Sequence, residues 1–402
     1  MKEVRILSPN GMLGYGFPKR SFAEGMKRKP HAICVDAGST DGGPQKLGAG
    51  VGITSRAMVK QDLEVMISAG LNAGIPVLIG SAGGSGGARH IAWTMEIIQD
   101  LVHLHGWKLN VAVIHSTIDK QWIKKQVAEH RVRSLPGVPE LTDKEVDAAT
   151  EIVAQMGYES FLPALESGTN VIVGGRAYDP AMTAAVCVHY GMDEGLAYHM
   201  GKILECGALC AIPGSAKDCL LGTIRKDSFT VEAMNSERKC LTESVAAHTL
   251  YEKSHPYLLP GPGGTANLQM CEFIQESEGI VKVVGSRFER SEEYRVKLEG
   301  AKESGYRTIF VAGIRDPQAI KQIDEILRAA DTVIAEHFPH ATRRNGYVWD
   351  YKVYGRNGVM GQLEPKCGEV GHEICLVAEF LAPTQEEASA LCSLARSTML
   401  HY

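Results

Sequence analysis

Apolar residues in the first half of the chain fall into short runs that stop abruptly at glycine or polar positions. "HAICVDAG", "IPVLIGSAGG", "LNVAVIHST" and "TNVIVGGRAYD" each carry one, and "VRILSP" near the start adds another. After the first of these runs, Val59, Leu63, Ile67 and Leu71 recur at four-residue spacing; after the second, Ile91, Met95, Ile98 and Val102 trace one helical face. The pattern predicts βα units. Because the strand runs are continuous rather than alternating, both faces should be covered, as in a parallel sheet between helices.

Beyond about residue 215 the texture changes. "CLLGTIRKDSFTVEAM", "GIVKVVGSRFE", "YRTIFVAGIRD", "YVWDYKVYG" and "HEICLVAEFLA" read as strands, with helices at "PQAIKQIDEILRAADTVIAEHF" and "TQEEASALCSLARSTMLHY". Strands in succession with few helices between them predict an α+β arrangement. The expected fold is therefore an α/β domain over residues 1–215 with glycine-rich strand-end loops, followed by an α+β domain over 216–402. Length agrees with two domains, since 402 residues exceed what one core usually holds, roughly 250 to 300.

Composition narrows the function classes. A net charge of -5 with no long basic run excludes an electrostatic footprint for nucleic acid or an anionic membrane, so the expected partner is a small molecule. No apolar stretch approaches the roughly 20 residues of a spanning helix, and no secretory pattern opens the chain. Ten cysteines scattered through such a chain are expected to be reduced, which places the protein in the cytoplasm.

In an open α/β sheet, ligands bind beyond the carboxyl ends of the parallel strands. Those ends carry Asp36, Ser39, Thr40 and Asp41; Ser81 and the loop Gly83, Gly84, Ser85, Gly86 and Gly87; His115 and Ser116; and Gly174, Gly175, Arg176 and Asp179. The glycine-rich loop between strand and helix would let backbone amides approach a carboxylate or phosphate; a tight turn for close packing is the plainer reading. It is neither a phosphate loop of Walker type nor a dinucleotide fingerprint, because no Gly-Lys-Ser/Thr follows and His90 stands near the third glycine position. Arg176 could clamp a carboxylate, and Asp179 could simply cap the helix that Pro180 begins. His115 is a candidate acid or base. Glu205 and Cys206 in "GKILECGA" offer a further acid/base pair, although Cys206 and Cys210 lack the second pair that zinc would need. Asp36 and Asp41 would suit Mg²⁺, and no other cofactor is implied. No Gly-x-Ser-x-Gly surrounds any of the serines, which removes the usual hydrolase elbow.

Four of these stretches, "VRILSPNGMLGYG", "DAGSTDGGPQKLGAG", "VIVGGRAYDPAM" and "GKILECGA", together resemble the acyclic terpene utilisation family of AtuA-like proteins, particularly its shorter members. The resemblance covers roughly residues 4 to 215, with "GYRTIFVAGIRDP" a fainter echo beyond. It implies catabolism of branched acyclic terpenes through acyl-CoA intermediates, or small carboxylic-acid metabolism nearby. Some members carry a small extra domain or partner subunit; this chain is expected to lack such an extension, so a homo-oligomer is expected, with a separate small partner subunit left open. The resemblance assigns no catalytic residue.

The site residues point to a lyase, a hydro-lyase foremost, acting on a small carboxylic acid or its acyl-CoA ester. Asp36 or His115 would abstract the proton alpha to a carbonyl, Arg176 and the glycine loop would anchor the acid, and Glu205 or Cys206 would act as the opposing acid. An isomerase or racemase would use the same abstraction, and an aldol-type carbon–carbon lyase is compatible with the same site. A non-catalytic subunit that binds acid or acyl-CoA is the alternative from another class.

Overall fold

The computed structural model describes residues 2–38, 43–251, 255–366 and 368–402. Its first half follows the predicted units. Strands β1 (Val4–Ser8), β2 (Ala32–Asp36), β3 (Val77–Gly80), β4 (Val111–Ile114), β5 (Ala149–Ala154) and β6 (Val171–Gly174) alternate with helices. The helices are α1 (Lys19–Lys27), α2 (Gly43–Ala49), α3 (Arg56–Ala73), α4 (Ala88–His105), α5 (Lys120–Ala128), α6 (Asp143–Ala148), α7 (Leu162–Glu166), α8 (Ala181–His189) and α9 (Glu194–Leu204).

Five of these strands run parallel in the order β1-β2-β3-β6-β4. Their unbroken apolar runs are explained by two cores, one on each face. In β2, Ala32 and Cys34 join the core built with α8 and α9, while Ile33 and Val35 join the core under α3 and α4. Every residue of β2, β3 and β6 is buried, whereas β4 is only partly so because it closes one edge. The spacing read in α3 is its buried stripe: Val59, Leu63 and Ile67 are covered and Leu71 packs beside them. Ser55 caps that helix through the Met58 N–H at 3.3 Å, and Gly74 ends it with φ 66°.

After residue 215 the sheet continues. Leu220–Ile224 lies antiparallel on β1, with Val4 opposite Ile224 and Ser8 opposite Leu220. Ser228–Ala233, Ile280–Val284 and Glu272–Ser277 extend it in turn, to a nine-stranded sheet among the described residues. Leu298–Lys302 pairs with β5. The compact units are therefore Met1–Lys302 and Glu303–Tyr402, in place of the sequence division at 215/216. Composition shifts at 215 because parallel strands give way to hairpins, while the sheet itself goes on.

The second unit is α+β. Tyr306–Ile314, Ile374–Ala382 and Val348–Tyr354 form an antiparallel sheet with Ile374–Ala382 in the centre. That central strand alternates buried and partly buried residues along its whole length, so only one face is fully covered. Ala378, Phe380 and Ala382 on the covered face pack with Ala330 and Ile334 of Ile323–His337 and with Leu391 and Ala395 of Gln385–Leu400. The single long helix read from 317 is broken into Pro317–Lys321 and Ile323–His337.

Candidate active site

The register of the parallel strands puts their carboxyl ends side by side. Asp36 stands opposite Gly80, and Gly174 stands opposite Ile114. The residues just beyond are tied together across the edge. Ser116 Oγ accepts the Arg176 N–H at 2.7 Å and donates to the Gly86 carbonyl at 2.9 Å. Ser81 Oγ accepts from Arg176 Nη1 at 3.1 Å and from the Ala177 N–H at 3.2 Å. Ser81 does this with φ 48°, a left-handed conformation that costs a residue with a side chain roughly 1 kcal/mol or more. Both hydroxyls were candidates for holding substrate, and both instead fasten the strand ends to one another.

Arg176 is the hub. Its side chain is only 3% exposed, and its Nε meets Glu299 Oε2 at 3.1 Å while Nη1 lies 3.9 Å from Asp179 Oδ1. Burial alone would lower its pKa, but Glu299, Asp179 and Asp36 together raise it. The guanidinium is therefore engaged by the protein's own carboxylates, which replaces the expected clamp on a substrate carboxylate.

Beside it lies a buried charged cluster. Lys202 on α9 binds Asp179 Oδ2 at 3.2 Å and forms an ion pair with Glu205 one turn further on. One carboxylate oxygen from each of Asp36, Asp179 and Glu205 falls within 4.8 Å of the others. Three carboxyl groups this close cannot all ionise without cost. Burial, then repulsion from Asp179, pushes Asp36 up to about 8, against the pull of Arg176 and Lys202. Burial and Asp179 likewise raise Glu205 well above its ordinary range. Lys202 is raised too, since Glu205 and Asp179 outweigh its own desolvation. Such a trio could hold a divalent cation through oxygen ligands, although Lys202 already supplies a positive charge to two of its members. Asp179 was read as a helix cap; α8 is instead preceded by Pro180 without a side-chain cap, and Asp179 belongs to the cluster.

The glycine-rich loop serves packing. The amide at the start of α4, on Ala88, donates to Glu151 Oε1 at 2.6 Å, so a carboxylate of the chain itself occupies the helix end where a ligand anion was expected. A Cβ on Gly86, whose φ is 68°, would lie 2.0 Å from Arg176 N. Gly83 and Gly84 are closed in by His90 and Ile53, Gly87 by Glu151, and Ser85 is buried. Gly174 and Gly175 are likewise pressed against Phe161 and Ser116. Gly86→Ala is expected to cost at least about 3 kcal/mol, combining a positive-φ penalty with displacement of the arginine backbone. Urea unfolding at neutral pH checks it; a loss below about 1 kcal/mol would mean that the loop adjusts freely.

His115 is exposed and makes no hydrogen bond to the cluster among the described residues, so the structure does not bring it to the acid/base groups. Cys206 is partly exposed, next to Glu205. Ser39, Thr40 and Asp41 lie outside the described residues, and with Asp41 goes the expected Asp36–Asp41 metal pair. Sequence reading missed Lys202 and Glu299. Lys202 had a signal, its i,i+3 spacing to Glu205 on a helix; Glu299 had none, since 123 residues separate it from Arg176. Cavities of about 510 and 370 Å³ lie elsewhere, along α3, and none of their lining residues belongs to this cluster.

Fold and site together define an α/β protein with an ionic cluster at the carboxyl edge of its parallel strands. Residues 57–217 match the model of the acyclic terpene utilisation family protein AtuA, and over that segment the chain is similar to that family. The match spans Arg176, Asp179, Lys202 and Glu205 but neither Asp36 nor Glu299. No curated protein and no solved structure matches the chain. Among the described residues, no helix is long and apolar enough to cross a membrane.

Proposed function

We propose that the protein is a lyase, a hydro-lyase foremost, that removes the proton alpha to the carbonyl of an acyl thioester in acyclic terpene catabolism. The AtuA-like match supports the catabolic setting. The observation that carries the chemistry is the Asp36 carboxyl, pushed up to about 8 beside the Lys202–Glu205 pair. A carboxyl poised near neutral pH both takes and returns a proton efficiently. Asp36 abstracts the alpha proton, the Lys202 ammonium stabilises charge developing on the carbonyl oxygen, and Glu205, in the fraction that burial and Asp179 keep protonated beside Lys202, gives its proton to the departing hydroxyl. Arg176 and Ser81 position these groups and touch no substrate.

Charge pairing favours a CoA ester over a free acid. Arg176 faces Glu299 and Asp179, and Lys202 faces Asp179 and Glu205. An incoming carboxylate would have to displace one of these partners, whereas a thioester carbonyl is neutral. The test is alpha-proton exchange in D₂O, followed by mass spectrometry, for short branched acyl-CoA esters and for the matching free acids, with and without Mg²⁺. Exchange accompanied by loss of water from the ester is expected. Exchange without dehydration would select the isomerase or racemase reading, and binding without exchange would overturn the enzyme assignment in favour of a ligand-binding subunit.

A further inference from the structure

Outside the charged cluster, four side chains form a hydrogen-bonded series with a fixed polarity. His199 on α9 is buried, with Nε2 3.0 Å from Thr249 Oγ1 and Nδ1 2.8 Å from Ser286 Oγ. Thr249 Oγ1 also lies 3.1 Å from the Val245 carbonyl, which can only accept, so the threonine proton is committed there. With Thr249 accepting from the imidazole, the ring proton sits on Nε2 and Nδ1 is the acceptor. Ser286 therefore donates to Nδ1. Cys271 Sγ stands 3.3 Å from Ser286 Oγ and 3.7 Å from Nδ1, placed to donate its S–H into the series. The edges of Phe229 and Phe273 hold the ring in place, at 5.2 and 6.0 Å between centroids.

The series thus runs from Cys271 through Ser286 and His199 to Thr249. His199, Ser286 and Thr249 are buried, while Cys271 is partly exposed, so the end that reaches solvent is the nucleophilic one. Nucleophile, base and orienting group are arranged as activated thiols require. By contrast, Cys34, Cys187 and Cys219 are deeply buried, and desolvation raises all three thiols. We propose that Cys271 is a covalent modification site for soft electrophiles, its thiolate formed by moving the S–H proton through Ser286 to His199.

Several ionisable side chains stand on the elements around α9 and Cys271: Lys202, Glu205, Glu232, Glu243, His248, Glu272, Arg287, Glu289 and Arg290. Lys202 pairs with Asp179 and Glu205, Glu232 with Arg28, and Arg290 with Glu194.

Iodoacetamide on the full-length protein tests the proposal, with peptide mass spectrometry reading Cys271 against partly buried Cys375. Cys271 sulfur bonds the methylene carbon, the carbon–iodine bond breaks, iodide leaves, and the proton held by His199 passes to buffer. A free thiol of pKa ~8.5 is ~3% ionised at pH 7, so a two-unit drop gains about 25-fold in thiolate. Lower basicity takes back about eightfold, leaving roughly threefold faster labelling than such a free thiol at pH 7. The sharper readout is the pH profile. Wild-type labelling should level off near pH ~7, while Ser286→Ala and His199→Gln should restore a rise towards ~8.5. A wild-type rate that climbs tenfold per pH unit to about 8.5 would overturn the proposal, as would variants with the wild-type profile. Should His199→Gln fail to fold, the wild-type profile and Ser286→Ala decide.

Discussion

Asp36→Asn is expected to abolish alpha-proton exchange and, at pH 8, to raise the melting temperature. Asp36 lies 4% exposed at the end of β2, and its carboxyl is pushed up from 3.8 to about 8. Between those values the folded protein holds a proton that the unfolded chain has released, so stability falls as pH rises through the window. Below about pH 4 both states are protonated and the residue contributes no pH dependence. Asparagine removes the titration while its amide oxygen can still accept the Gly38 N–H, which Asp36 Oδ1 accepts at 3.1 Å. A shift of this size corresponds to at most about 6 kcal/mol; taking roughly 2 kcal/mol as realised, the melting temperature rises by about 5 °C at pH 8. The gain should vanish at pH 4. Scanning calorimetry of both proteins at the two pH values checks it, and an equal shift at both would assign the effect to packing rather than to the proton. A residue that destabilises the fold while carrying the reaction is a familiar trade at active sites.

How much of this was legible in the chain depends on the range of the interaction. β2, β3 and β6 could be read because double-sided burial writes itself as a local run, and Asp36 and Arg176 could be placed because strand ends are local too. Asp36 and Arg176 do approach one another, together with Asp179 and Glu205. Roles were harder. Arg176 looked free to clamp a ligand because nothing near it in sequence announces Glu299, which arrives on a strand paired with β5. The loop at 83–87 looked like an anion cradle for the same reason: Glu151, which fills that helix end, sits at the far side of two intervening helices. His115 belongs to the opposite case. Its local setting, a strand end, was read correctly, but β4 is an edge strand and its flanking side chain faces outward. The continuation of the sheet past 215 was invisible because pairing partners such as Ser8 and Leu220 are far apart in the chain.

Lys202→Met is the variant with the largest expected cost. Methionine keeps much of the aliphatic stem, so the change isolates the ammonium. Without it, Asp179 and Glu205 lose their shared partner while Asp36 stays within the same 4.8 Å group. Breaking a buried pair from one side costs about 3 to 5 kcal/mol, because an uncompensated charge remains in a desolvated place. The penalty should depend on pH in a defined direction. Lys202, raised above its ordinary value, stays charged through the neutral range and does not itself titrate there. Asp36 and Glu205, both pushed up by burial and by Asp179, take up protons as the pH falls, which relieves the repulsion, so the loss at pH 8 should exceed the loss at pH 5. Urea unfolding at both values measures this, and an equal loss would place the lysine's contribution in packing alone. Glu205→Gln added to Lys202→Met should recover part of the stability, since the charge and its partner are then removed together. Exchange at the alpha carbon should stay at least about 100-fold down in both variants, because the ammonium proposed to stabilise the enolate is still missing. Recovery of stability without recovery of exchange would separate the two duties proposed for Lys202, holding the carboxylates together in the folded chain and opposing the negative charge that forms during the reaction.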